Sequence, residues 1–223
     1  MKDFQENIVP VENQNTRSYF EVAKGDGLKV LFVGNSITKH SPKPEIGWDR
    51  DCGMAASSIQ KDYVHILKSK IIKYCPNAAM RILQVANYER NFESTDASAA
   101  YSEVAEFKPD IVIMFFGANV DKSYDTKEEH KKTFGKAVED LRNLLDTGNT
   151  FFLISQGFYI RPVLDAEKEA VAEKYNDAFV KIEDIRERED THGGYNHPSD
   201  IGMQAIADRF WETIEPIVKK SIL

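Results

Sequence analysis

A run at 28–33 that is apolar except for Lys29, bounded by Gly27 and Gly34, constrains the fold more than any other stretch of the chain. It is rich in β-branched residues and too short for a helix, which is typical of a strand buried on both faces of a parallel sheet. Similar runs recur at 111–116 and 150–155. Helical patterns, with apolar residues three and four positions apart, separate the strands. Strands that alternate with helices need crossover connections, so we predict an α/β chain with a parallel sheet covered on both faces.

Two weaker segments complete the predicted sheet, one at 79–85 and one in the first half of 179–185. The helical patterns cover 54–74, 95–107, 127–145, 165–177 and 198–219. We therefore expect a three-layer α/β/α sandwich of the flavodoxin-like type, with about five parallel strands. Residues 1–27 are polar and are interpreted as an N-terminal extension with one strand near Tyr19–Val22, and residues 28–223 as the single folded domain.

Composition narrows the range of partners. The chain has 223 residues, a net charge of −7 and 42% hydrophobic residues, which suits one soluble α/β domain. The negative charge argues against nucleic acid and anionic membranes as partners. No apolar run is long enough for a transmembrane helix. The N-terminus has no apolar core of a signal peptide, so a cytoplasmic location is expected.

Cysteine usage agrees with a reduced compartment. Cys52 and Cys75 are the two cysteines, and neither belongs to a motif with the spacing of a zinc site. No metal or cofactor is expected. A single disulfide between the two cysteines is the alternative to two free thiols.

Three polar residues follow predicted strands or precede a predicted helix. Ser36 comes after the first strand, Asn119 after the strand at 111–116, and His197 just before the last helix. Sites in parallel sheets lie at the carboxyl ends of the strands. A serine, a side-chain amide and a histidine at one sheet edge are the components of acyl transfer: nucleophile, oxyanion donor and general base.

The order of these residues resembles the SGNH (GDSL-type) hydrolase family. The matching blocks, which fall within residues 30–210, are Gly34-Asn35-Ser36, Gly53 in the stretch CGMAASS, Gly117-Ala118-Asn119, and His197-Pro198-Ser199-Asp200. The resemblance implies that Ser36 is the nucleophile and His197 the general base. It also implies an oxyanion hole formed by the backbone N–H groups of Ser36 and Gly53 and by the side chain of Asn119.

The chain departs from the family pattern at two positions. Asn35 stands where the family commonly has aspartate, and Gly194 stands three residues before the histidine, where the family usually has the aspartate that orients it. We therefore expect a Ser-His dyad in which a main-chain carbonyl, Asp190 or Asp200 holds His197. His192 is the main rival for the general base.

Further residues at the same edge are candidate substrate contacts. Trp48 lies in a long loop between Ser36 and Gly53, where an indole either stacks on a sugar ring or packs the loop. Gln156 and Tyr159 follow the strand at 150–155.

The resemblance implies a serine ester hydrolase. Among the family's substrates, the aromatic residues of the loops suit a sugar and no long apolar segment offers a lid for a fatty chain, so we expect short acyl groups, in particular acetyl, on a small-molecule or oligosaccharide ester. A lysophospholipase or a thioesterase is the alternative within the enzymes. A non-catalytic binding module that keeps the fold is the alternative from another class, and Gly194 is the feature that supports it.

Overall fold

A six-stranded sheet forms the centre of the computed structural model, which describes residues 18–221. The strands lie in the order β1-β3-β2-β4-β5-β6. They are β1 (Tyr19–Ala23), β2 (Lys29–Gly34), β3 (Ala79–Gln84), β4 (Ile111–Phe115), β5 (Phe151–Ser155) and β6 (Ala178–Val180). Strands β2 to β6 are parallel, as expected, and β1 adds an antiparallel edge beside β3. Tyr19–Ala23, from the stretch interpreted as an N-terminal extension, thus forms an edge strand of the sheet, and residues 1–17 of that stretch lie outside the described residues.

Seven α-helices accompany the sheet within the described residues. They are α1 (Tyr63–Ile71), α2 (Ala86–Asn91), α3 (Ala97–Ala105), α4 (Phe134–Leu145), α5 (Pro162–Tyr175), α6 (Glu183–Arg186) and α7 (Asp200–Lys220). Helices α1, α6 and α7 pack on one face of the sheet, and α2 to α5 pack on the other. The three-layer α/β/α architecture predicted from the alternating pattern is confirmed.

The central strand β2 shows why its sequence is apolar without alternation. Val30 and Phe32 join the core under α1 and α7, whereas Leu31 and Val33 join the core on the opposite face. All four side chains are fully buried. Successive residues of a strand point to opposite faces, so a strand covered on both sides needs apolar residues at every position.

Helix boundaries differ from the sequence prediction where a capping residue decides the start. Helix α1 begins at Tyr63 rather than near residue 54, because the Asp62 carboxylate accepts a hydrogen bond from the N–H of His65 at 2.7 Å. Helix α4 begins at Phe134 rather than at residue 127 for the same reason, with Thr133 as its cap. The sequence pattern does not predict helix α2.

Cys52 and Cys75 are both free thiols, so the alternative of a disulfide between them is wrong. Between residues 18 and 221, no helix is long and apolar enough to cross a membrane.

Candidate active site

The turn after β2 places Ser36 at the carboxyl end of the sheet. A Cβ atom on Gly34 would lie 1.8 Å from Thr38 Oγ1, so the close approach of the turn to the strand requires glycine. Asn35 closes the turn: its Oδ1 accepts from the N–H of Ile37 at 3.1 Å, and its carbonyl accepts from the N–H of Thr38 at 3.0 Å. The turn leaves Ser36 half-buried, with its hydroxyl directed towards the loop that precedes α7.

The hydroxyl of Ser36 meets His197 across 161 residues of chain. Ser36 Oγ and His197 Nε2 are 2.7 Å apart. His197 directly precedes Pro198 and the cap of α7, Ser199, whose hydroxyl accepts from the N–H of Gly202 at 3.1 Å. The start of a long helix that is buried along one face thus fixes the position of the imidazole beside the serine.

A main-chain carbonyl orients the His197 ring. Nδ1 lies 2.6 Å from the carbonyl oxygen of Tyr195, which accepts its hydrogen and leaves Nε2 as the acceptor towards Ser36. Tyr195 and Asn196 both have left-handed backbone angles, with φ of 57° and 58°. Tyr159 supports this arrangement by donating its hydroxyl to the Asn196 carbonyl at 2.7 Å.

The surroundings of His197 favour its neutral form. Burial lowers the pKa of His197 below its ordinary value, because the charged imidazolium loses hydration. The hydrogen bond to Tyr195 acts in the opposite direction, and the charge on His40 lowers the pKa further. A neutral imidazole with a free Nε2 lone pair can accept a proton from Ser36.

The two carboxylates proposed as orienters of His197 lie elsewhere. Asp190 is exposed and binds the guanidinium of Arg188 at 2.7 Å. Asp200 accepts from the Ser57 N–H at 2.8 Å and from Lys61 Nζ at 2.9 Å. Those two expectations are therefore wrong, and the main-chain carbonyl is the acceptor.

His192 is also excluded as the partner of Ser36. Its Nε2 lies 2.8 Å from the carbonyl oxygen of Arg186, and its ring packs against Phe158. The residue forms a β-bridge with Pro198, which directs the two histidine side chains to different neighbours.

A buried carboxylate that the sequence did not single out holds Asn119. Glu89, at 0% exposure, accepts from the backbone N–H of Asn119 at 3.1 Å and also from its side-chain amide. The Asn119 Oδ1 atom accepts from Arg90 Nη2 at 2.8 Å. The Asn119 side chain is therefore oriented with its oxygen towards Arg90 and its nitrogen towards Glu89. One of the two N–H groups of that nitrogen is bound to Glu89. The second N–H makes no hydrogen bond to a residue between 18 and 221.

The same carboxylate reaches the turn that carries Ser36. Glu89 accepts from Asn35 Nδ2 at 2.9 Å and from the N–H of Gly117 at 2.5 Å. One anion therefore joins the loops after β2 and β4. It also accounts for Asn35, because an aspartate at this position would set a second carboxylate against Glu89.

Gly53 does not supply a free donor. Its N–H donates to the carboxylate of Asp62 at 3.1 Å, and both residues are buried. The carboxylate is held in turn by Nδ1 of His65 at 2.8 Å. The expectation that Gly53 completes an oxyanion hole is wrong for this geometry, because the hydrogen is already bound inside the protein. A Cβ at this glycine would lie 2.5 Å from the Ile37 carbonyl, so its role is close packing against the serine turn.

Two of the three candidate substrate contacts are structural. Trp48 is 1% exposed, donates its indole N–H to the His40 carbonyl at 3.2 Å and packs edge-on against Tyr195. Gln156 is buried and bonded to Glu183 at 2.7 Å. Only Tyr159 touches the site, beside the ring of His197.

Glu89 lies on the short helix α2, which the sequence motifs do not mark. The motif residues Ser36 and Asn119 follow β2 and β4, and α2 follows the neighbouring strand β3 at the same edge. The rule for parallel sheets applies equally to the segment after β3 and is the signal that points to this carboxylate. Among residues 18–221, no cluster of three His, Cys, Asp or Glu side chains could hold a metal ion.

Comparison with solved structures identifies the fold. An active-site mutant of a family two carbohydrate esterase from Clostridium thermocellum has a TM-score of 0.60 at 15% identity, covering 87% of this chain and 65% of that one. A two-domain esterase active on acetylated mannans has a TM-score of 0.58 at 19% identity, covering 89% and 51%. A protein described as a GDSL-like lipase from Bacteroides ovatus has a TM-score of 0.53 at 17% identity, covering 86% and 100%.

These likenesses show that the chain has the SGNH hydrolase fold, so the resemblance seen in the sequence is confirmed at the level of the fold. The chain spans less than two thirds of the length of the two carbohydrate-active proteins. No family profile and no curated protein sequence matches it.

Proposed function

We propose that the chain is a serine carboxylic-ester hydrolase in which Ser36 is the nucleophile and His197 the general base. The observation that carries the proposal is the contact of 2.7 Å between Ser36 Oγ and His197 Nε2, with Nδ1 of the same ring bonded to a carbonyl. A serine hydroxyl is a weak nucleophile until a positioned base accepts its proton. The fold supports this function, because its solved relatives include esterases.

The chemistry proceeds in two displacements. Ser36 Oγ attacks the ester carbonyl carbon while its proton passes to His197 Nε2, which then protonates the departing alcohol. A water molecule attacks the acyl-serine, gives its proton to the same nitrogen, and the acid leaves as Ser36 regains its hydrogen. The developing oxyanion is stabilised by the second side-chain N–H of Asn119 and by the backbone N–H of Ser36. Glu89 acts as a positioning residue for Asn119.

Of the ester classes, we favour short acyl groups, acetyl in particular, carried on carbohydrate. Gly117 and Ala118, which precede Asn119, and Tyr159, which contacts His197, line a cavity of only about 10 Å³. A space of that size holds about one water molecule and has no room for a long alkyl chain. The two carbohydrate-active relatives support the choice of alcohol.

A fluorophosphonate probe tests the nucleophile. We expect the native protein to be labelled on Ser36 and the Ser36→Ala variant to remain unlabelled, folded and inactive towards 4-nitrophenyl acetate. Loss of such a nucleophile lowers kcat by about 10⁶ in a well-studied serine protease. Labelling at another residue, or more than a tenth of the native rate in Ser36→Ala, would overturn the assignment.

A series of acetyl, butyryl and octanoyl 4-nitrophenyl esters tests the acyl group. The proposal expects kcat/KM to fall as the acyl chain lengthens. A maximum at octanoyl would instead favour a lysophospholipase or a thioesterase.

A further inference from the structure

A second, larger cavity is lined by Arg90, whose guanidinium contacts Asn119. It has a volume of about 310 Å³, which is at the lower end of the usual range for small-molecule sites, about 300–1,000 Å³. The end of α2 and the residues after it form one wall, and the loop after Asn119 forms the other. The lining residues that matter for recognition are Arg90, Glu93, Asp121, Lys127 and Lys131.

The charged residues that line the cavity differ in whether they have an ion-pair or hydrogen-bond partner. Lys127 pairs with Glu93 at 3.3 Å, and the carboxylate of Asp121 accepts from the N–H of Ser123 at 2.8 Å. Arg90 and Lys131 form no ion pair with any carboxylate in the described part of the chain. The lining therefore carries three cations against two carboxylates, a net charge of +1, and Arg90 and Lys131 are the cations without an ion-pair partner between residues 18 and 221.

Arg90 links this cavity to the candidate catalytic site. Its Nη2 donates to Asn119 Oδ1 at 2.8 Å and its Nη1 donates to the Ala86 carbonyl at 3.2 Å. A guanidinium has five N–H donors, so further donors remain for a carboxylate or a sulfate. An anion held by Arg90 would therefore be separated from Asn119, the proposed oxyanion donor, by the Arg90 guanidinium alone.

We propose that this cavity binds an anionic group, a carboxylate or a sulfate, carried by the carbohydrate whose acetyl ester reacts at Ser36. The proposal rests on the function proposed above and names the substrate class of the same site. The hydroxyls of Ser94 and Ser123 and the amide of Asn91 line the same space and suit the hydroxyls of a sugar ring.

Three matched substrates test the proposal: a methyl glucoside acetylated on its ring hydroxyls, the same compound with a sulfate on its primary alcohol, and the corresponding glucuronide. We expect kcat/KM for at least one anionic ester to exceed that of the neutral ester by about tenfold at low ionic strength. The advantage should shrink as salt is added. The arm with the larger advantage identifies carboxylate or sulfate. Equal rates for all three esters would overturn the proposal.

Two lysine variants test whether the preference for anionic esters arises from the cavity. Lys131→Met should lower the ratio of anionic to neutral kcat/KM at least threefold. Lys122→Met removes an exposed lysine from the same loop but outside the cavity, and it should leave the ratio unchanged. An equal loss in both variants would show that overall charge, rather than the cavity, selects the substrate.

A binding measurement separates this proposal from the proposed function. NMR titration of the Ser36→Ala variant with the acetylated glucuronide should shift resonances of residues that line the cavity, and Lys131→Met should weaken that binding. If the native protein hydrolyses no ester but the titration succeeds, the esterase proposal fails and the anion site stands. If esters are hydrolysed but no anion binds, the anion site fails alone.

Discussion

Nδ1 of His197 lies 2.6 Å from the carbonyl oxygen of Tyr195, at the place where a carboxylate would stand in a Ser-His-Asp triad. The carbonyl fixes the tautomer and the direction of the ring. It carries only a partial charge, so it stabilises the imidazolium formed during the reaction less than a full carboxylate does.

The first prediction follows from this acceptor. Asp190→Asn and Asp200→Asn should keep the kcat of the native protein within about threefold, because neither carboxylate contacts His197. Neutralising the aspartate of a true triad lowers kcat by about 10⁴. Steady-state rates on 4-nitrophenyl acetate decide the matter, and thermal unfolding serves as a control for Asp200, which binds Ser57 and Lys61. A loss of about 10⁴ in either variant would place a carboxylate at the histidine after all.

The second prediction concerns pH. The general base has to be neutral, and burial lowers the pKa of His197 below its ordinary value of about 6.5. As pH rises, kcat/KM should therefore increase through a midpoint below about 6.5 and be level at pH 7. The profile should be measured between about pH 4.5 and pH 8 with a neutral ester. A midpoint clearly above that value would mean that a negative charge stabilises the imidazolium.

The third prediction concerns the buried carboxylate of Glu89, which accepts from four donors. In Glu89→Gln the side-chain NH₂ would face two of those donors, and each buried unsatisfied group costs about 1–3 kcal/mol. We expect the free energy of unfolding to fall by about 2–5 kcal/mol, and kcat to fall with it because Asn119 loses its anchor. Glu106→Gln, at an exposed position, is the matched control for chemical denaturation. A Glu89→Gln variant with unchanged stability and unchanged kcat would contradict the role of Glu89 in positioning Asn119.

The fourth prediction uses the pair of Asn35 and Glu89. Asn35→Asp alone should destabilise the protein, because two carboxylates would meet at the contact of 2.9 Å between these side chains. In the double variant with Glu89→Gln, the glutamine NH₂ can donate to the carboxylate introduced at residue 35, which restores one bond. The double variant should therefore be more stable than the sum of the two single changes indicates. Simple additivity in a denaturation cycle would show that the two side chains do not interact.

The fifth prediction separates catalysis from binding at Asn119. Asn119→Ala should lower kcat by about 10²–10³ with a modest change in KM, because a donor to the oxyanion acts mainly in the transition state. A large rise in KM with unchanged kcat would make Asn119 a substrate-binding residue instead.

Local sequence was sufficient to predict the parallel strands, and the family resemblance was needed to choose His197 rather than His192 as the partner of Ser36. The β2 strand and the glycine turn are encoded within a short stretch of chain, and His197 is fixed by its place before a strongly amphipathic helix. The rule for carboxyl ends of parallel strands then brings both side chains to one edge.

The parts that could not be predicted depend on contacts between distant segments. Trp48 is an aromatic residue in a polar loop, and only the packing of that loop against Tyr195 shows that the indole is inside. The N–H of Gly53 is available or bound depending on the position of Asp62, which a capping interaction fixes at the start of α1. Composition and residue spacing predict neither the burial of Trp48 nor the hydrogen bond from Gly53 to Asp62.

The histidine acceptor in the left-handed segment at residues 195 and 196 is a backbone atom, and this limits the mutations that can remove it. The acceptor for His197 belongs to the peptide backbone, so no codon change at residue 195 deletes it in the way that a codon change deletes a catalytic aspartate. Alanine scanning would record Tyr195 as a packing residue and overlook its carbonyl. Only an alteration of the peptide group itself, such as a thioamide between residues 195 and 196 introduced by chemical ligation, would reveal the contribution of that oxygen.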